Sequence, residues 1–195
     1  MKNFRNSTPA RSRVSSKKNY LEYKPFLIED FHHKCGYTDC RDYWFGGPRC
    51  FHIDHFIPWR KHIVDNPNLK TDYNNLVYSC SYVNILKSDD ENSNYLDPCT
   101  VDYNKHFHRD DMGNIIPDTE EGKYMFDHLR MGLCRYAIVW KLDQMKDKME
   151  ELIKVKEVLD NAAEKNSELL TEICVLISEF TCEYLKYENY LALNQ

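Results

Sequence analysis

Phe51-His52-Ile53-Asp54-His55-Phe56-Ile57-Pro58 and, downstream, Asn74-Asn75-Leu76-Val77-Tyr78-Ser79-Cys80-Ser81-Tyr82-Val83-Asn84-Ile85-Leu86-Lys87-Ser88-Asp89 decide how this chain reads. The first segment has the pattern of a short strand over 50–55, ended by Pro58 and carrying an acid beside a histidine. The second reads as a loop running into a helix that bears Asn84 and Lys87. Side chains alternate along a strand, so His52 and Asp54 share one face, and the departure at Pro58 lets His55 turn towards the same place. The chemistry of the chain is expected between these two segments.

Working outward, Cys35-Gly36-Tyr37-Thr38-Asp39-Cys40 reads as a knuckle or tight turn, and Gly46-Gly47-Pro48 as a turn before the strand. Upstream, Tyr20 to Phe31 mixes aromatics with Pro25, which predicts an extended approach and then a short helix towards His33. Residues 1–19 hold Ser, Asn, Arg and Lys with few large apolar side chains and read as a flexible basic arm. Between Asp89 and Pro117 the chain is rich in Asp, Asn and Pro, which predicts a long, partly ordered connection with one short strand near Gly113–Pro117. After Thr119, a plausible cap, apolar residues recur at helical spacing from Ile138 to Leu191. A break near 161–167, with Ser167 as N-cap, predicts a hairpin of two long helices. The expected organisation is a flexible arm over 1–19, a catalytic domain over 20–118 and a helical extension over 119–195.

The 195 residues include 42% hydrophobic and 29% charged side chains, a soluble globular composition. No run of about 18 apolar residues could span a bilayer, and no apolar core follows the N-terminal charges. A cytoplasmic protein with mostly reduced thiols is expected. The net charge of −5 is unevenly distributed: residues 1–24 carry seven Lys/Arg against Glu22 alone. A basic arm before an acidic body suits phosphate contact by the arm and a metal at the carboxylates.

Hydrolysis of a phosphodiester needs a base to deprotonate water and a cation to stabilise phosphate and leaving group. A histidine with a pKa of about 6.5 suits the first task. A hard divalent cation held by one carboxylate and one amide oxygen, Asp54 and Asn84, suits the second.

The run apolar-Asp54-His55-apolar-x-Pro58, then Asn75-Leu76, then Asn84-x-x-Lys87-Ser88-Asp89, resembles the HNH family of ββα-metal nucleases. The resemblance implies an α+β fold, an HNH nuclease core with a long helical C-terminal extension. It makes His55 the general base, Asp54 and Asn84 the ligands of Mg²⁺ or Mn²⁺, and Asn75 a clamp on the loop that carries the base. Lys87 would stand near the phosphate, and His52 behind the metal ligands. Many HNH proteins also brace the fold with zinc held by two cysteine pairs. Cys35, Cys40 and Cys80 fit that pattern in part, but Val83 stands where the fourth thiolate belongs, so Cys50 or His33 would have to complete the set.

Tyr95-Leu96-Asp97-Pro98, His106-Phe107, Asp111 to Thr119 and Gly122 extend the likeness to HNH proteins of Septu-type and retron-linked antiphage systems. These work beside an ATPase partner, which implies docking on the helical tail; a homo-oligomer through the same helices is the other expectation. DNA is the expected substrate and RNA the lesser one, since no stacking or base-reading signature for RNA is evident. The alternative is an idle nucleic-acid-binding or assembly module on the same scaffold.

Overall fold

A computed structural model describes residues 1–12, 15–162 and 167–193. The elements are β1 (Lys2–Asn3), α1 (Lys24–Asp30), β2 (Phe51–His55), β3 (Leu76–Cys80), α2 (Ser81–Lys87), β4 (Phe107–Arg109), β5 (Ile115–Pro117), α3 (Glu120–His128), α4 (Cys134–Asp160) and α5 (Ser167–Leu193). The architecture is mixed α+β with small sheets. The chain divides into two compact units, Met1–Tyr136 and Ala137–Gln195.

In the first unit, β2 and β3 pair antiparallel from Phe51↔Cys80 to His55↔Leu76, and α2 follows β3 directly and packs on both strands. The sequence reading had a loop where β3 lies. Leu76, Val77, Tyr78, Ser79 and Cys80 are all buried, so the strand lacks the alternation that marks a half-exposed one. Helix α1 packs on β3. It is entered through a helical turn at Tyr20–Tyr23 whose Asn19 and Glu22 form a reciprocal capping box, and Pro25 sits in its first turn. The chain then reverses through His32 and His33, both with left-handed backbone, into the Cys35–Cys40 turn. Gly36 is needed there, because a Cβ would lie 2.7 Å from both Phe31 and Val77.

The N-terminus departs most from expectation. Residues 1–12 are not a free arm: β1 pairs with β4, which pairs with β5, in a three-stranded sheet. Phe4 is fully buried against Tyr103 and Phe107, with ring centroids 5.8 and 5.3 Å away. Arg5 donates to Gly36 O at 2.8 Å and lies over the Tyr103 ring, while Arg11 makes a two-pronged pair with Asp97 and donates to Leu76 O. These guanidiniums are held internally, so they cannot serve as the phosphate-contacting arm. The connection over 89–117 is likewise ordered, with Arg109 buried and donating to Thr38 O and Gly113 O.

Thr119 caps α3 by accepting from Gly122 N–H, and Gly122 leaves no room for a Cβ, which would stand 2.5 Å from His106 O. Met125 and Leu129 are buried, so α3 belongs to the first unit, and the boundary falls at 136/137 rather than 118/119.

In the second unit α4 and α5 run antiparallel: Lys141 reaches Tyr187 OH at 3.1 Å, and Thr181 meets Met149. Ser167 opens α5; the break expected near 161–167 falls partly outside the described residues. Val155, Val158, Val175 and Tyr190 stay exposed on these helices. Among the described residues no helix is long and apolar enough to cross a membrane.

Because the Phe4 ring is fully buried against Tyr103 and Phe107, Phe4→Ala is expected to cost about 3–5 kcal/mol of stability, read as a lowered midpoint in urea unfolding. An exposed arm would tolerate the change without loss.

Candidate active site

The facing of β2 and α2 brings four of the expected residues together. His52 and Asp54 lie two apart on the strand, and Asn84 and Lys87 three apart on the helix, so each pair shares a face. His52 Nδ1 and Asn84 Nδ2 meet at 3.4 Å. Next to them, Lys87 Nζ lies 3.2 Å from Asp54 Oδ2 and 3.4 Å from Oδ1.

Lys87 is wholly buried, a different place from the one expected for a phosphate contact. Its ammonium also donates to His55 O at 3.0 Å and sits 5.8 and 5.7 Å from the ring centres of Phe56 and Tyr95. Carboxylate, carbonyl and two aromatic faces together compensate the desolvation of a buried cation. Asp54, 4% exposed, receives a further hydrogen bond from Tyr37 OH at 2.5 Å. Burial and the nearby Asp54 raise the Tyr37 pKa well above the ordinary phenol range, so the hydroxyl keeps its proton to donate.

That settles the fit of a catalytic cation to this arrangement. Asp54 and Asn84 are donors of the right kind for Mg²⁺ or Mn²⁺. Both Asp54 oxygens, however, already face an ammonium, and one also holds a phenol. As arranged, the set does not fit a divalent ion.

His55 is placed as a base. Its Nε2 lies 2.9 Å from Lys70 O, and because a carbonyl only accepts, Nε2 carries the proton and Nδ1 keeps its lone pair. Tyr20 meets the imidazole edge-on at 4.9 Å, and the Trp59 ring centre is 6.2 Å away. Burial lowers the His55 pKa from its usual value, against the opposing effects of the Lys70 carbonyl and Asp54, so the ring is neutral at pH 7.

Asn75 holds the loop in which these contacts are made. Its side chain accepts from Ile57 N at 2.8 Å and donates to Ile57 O at 2.9 Å and Leu69 O at 3.1 Å. Its backbone carbonyl accepts from Phe56 N. One amide therefore ties the exit of β2 to the segment that supplies Lys70 O.

The zinc brace does not assemble. Cys35 and Cys80 are adjacent, with Cys80 N–H donating to Cys35 Sγ at 3.4 Å, and Cys40 is buried beside them. Burial would raise the Cys35 pKa, but hydrogen bonding with Cys80 prevails and lowers it, while Cys80, the donor of the pair, is shifted up. Cys50 is exposed and lies by Gly46, His33 is engaged with Asp42, and Val83 fills the fourth position as a fully buried apolar side chain. Three thiols without a fourth ligand do not fit a tetrahedral structural site.

The sequence reading missed Tyr37 and Lys70. Tyr37 was hidden because a turn tyrosine has no motif, and Lys70 because it acts on His55 through its main chain.

Asn75→Ala strands Ile57 N–H, Ile57 O and Leu69 O, and a buried orphan typically costs about 1–3 kcal/mol. The expected result is a lowered unfolding midpoint with faster proteolysis between Phe56 and Lys70, measured by limited digestion.

No family model, no curated protein and no solved structure matches the chain, so the reading of this site rests on its own residues and geometry.

Proposed function

We propose that this chain is an endonuclease that hydrolyses phosphodiester bonds, with DNA as its substrate and His55 as its base. The single observation that carries the proposal is the His55 imidazole. It is neutral, oriented by the Lys70 carbonyl, and has an Nδ1 lone pair with no hydrogen-bond partner among the described residues. In that state Nδ1 can take a proton from an attacking water, while Nε2–H keeps the ring from turning. The HNH-like spacing of Asp54, His55, Asn75 and Asn84 supports the same assignment. Mg²⁺ or Mn²⁺ remains the proposed cofactor on that resemblance, and it requires Asp54 to be released from Lys87. An effector role in antiphage defence beside an ATPase partner, docking on α4 and α5, belongs to the proposal on the same ground.

One observation favours a second reading. A carboxylate sealed by Lys87 and Tyr37 suits a scaffold that binds nucleic acid without cutting it.

Labelled DNA, RNA and supercoiled plasmid, incubated with Mg²⁺, Mn²⁺ or a chelator, separate these readings. Metal-dependent cutting of DNA, reduced about 10²–10⁴-fold in His55→Ala, is the expected outcome. Equal cutting by both proteins would sink the role given to His55, and binding without cutting would favour the idle scaffold.

The pH dependence follows from the lowered His55 pKa. The rate should rise through an apparent pKa below about 6.5 and level off by pH 7. For folding the sign is the same: the unfolded state takes the proton first, so this group's contribution is present above its unfolded pKa and lost as pH falls through the folded one. Unfolding midpoints at pH 7 and pH 5, compared between wild type and His55→Ala, read that loss.

A further inference from the structure

We infer that Arg60 and Lys70, both stacked on Trp59 beside His55, are the side chains that bind the phosphates flanking the scissile bond. This rests on the nuclease reading above and names the substrate contacts of the same site. Lys70 Nζ lies 4.7 Å from the centre of the Trp59 ring and the Arg60 guanidinium carbon 5.6 Å from it. Both side chains are exposed, whereas Trp59 is half-buried. The Trp59 ring centre is 6.2 Å from that of His55, and the backbone carbonyl of Lys70 holds His55 Nε2 at 2.9 Å. The indole that neighbours the base therefore gathers two cations on its ring.

What singles these two out is that neighbouring cations are engaged elsewhere. Lys87 is buried on Asp54, Arg5 and Arg11 are held by Gly36 O, Leu76 O and Asp97, and Lys61 faces Asp89 and Glu91 at 3.8 and 4.0 Å. Among the described residues neither Arg60 nor Lys70 has a carboxylate partner. Two exposed, uncompensated cations on an aromatic platform next to a water-activating imidazole match the charge of a nucleic-acid backbone. They do not read bases, so affinity should depend strongly on salt and weakly on sequence.

The test measures binding of a short labelled DNA duplex over a range of salt, and cleavage of the same duplex, for wild type, Arg60→Gln, Lys70→Gln, the double variant and Lys61→Gln. Each lost phosphate contact lowers the slope of log affinity against log salt by about 0.9. The inference expects that change in each single variant, about twice it in the double variant, and a rise in KM with kcat little altered. Lys61→Gln should leave the slope as it is, which separates these contacts from a general loss of positive charge. Trp59→Leu keeps both charges but removes the platform, and should weaken binding; thermal melts confirm that every variant is folded. If wild type binds and cuts while the Arg60 and Lys70 variants keep its affinity and slope, the inference is wrong and the nuclease reading stands. If wild type binds without cutting, and binding falls in the variants as described, the contacts stand and the nuclease reading fails. If wild type neither binds nor cuts, both fall.

Discussion

The contact on which the site depends is the buried pair of Lys87 and Asp54. It joins the last turn of α2 to β2, and the same ammonium reaches the His55 carbonyl, so the strand is fixed to the helix at the adjacent residues Asp54 and His55. A buried ion pair is seldom a net source of stability against an apolar replacement, but removing one partner leaves an uncompensated charge at a cost of about 3–5 kcal/mol. Its effect is therefore on arrangement. With Lys87 in place, Asp54 and Tyr37 face each other inside the fold, and the imidazole of His55 keeps an Nδ1 with no hydrogen-bond partner among the described residues.

That contact also shows where sequence reading reaches its end. Asp54, His55, Asn75, Asn84 and Lys87 could be picked out as a group, because an acid and a histidine side by side before Pro58 and the later Asn-x-x-Lys spacing supply the residue types that one site would need. The helix face they require follows from period alone, since Asn84 and Lys87 are three apart. Whether a lysine on that face points to solvent or into a cage depends on Phe56 and Tyr95, which no local pattern joins to it. The hairpin partner β3 was illegible for a related reason: a strand buried on both faces carries no alternation. The N-terminal segment misled through composition. Serines and basic residues suggested disorder, but Phe4 and two guanidiniums that find backbone carbonyls order it over Lys2–Arg11.

The same redistribution changes where electrostatics can act. Charge counted along the chain put the cations on residues 1–24, ahead of an acidic body. In three dimensions Arg5 and Arg11 serve the core, and exposed cations on Trp59, the ring beside His55, come from Arg60 and Lys70, in a stretch whose sequence shows only breakers and turns. Asn75 links the two descriptions, because its side chain closes the loop from Ile57 to Leu69 and so brings Lys70 O to His55 and Lys70 Nζ to Trp59.

Through that clamp His55 and Lys70 are held as one mechanical unit, whereas Asp54 is held by other contacts, from Lys87 and Tyr37. The division bears on how far the Asp54 side chain can turn without His55. The contacts that hold the Asp54 carboxylate, from Lys87 and Tyr37, are not among those that orient the His55 ring, which are Lys70 O and the Asn75 clamp behind it. A carboxylate turning out of its cage therefore need not disturb the base. The cost of that turn is the separation of a buried pair, about 3–5 kcal/mol where one partner is left uncompensated.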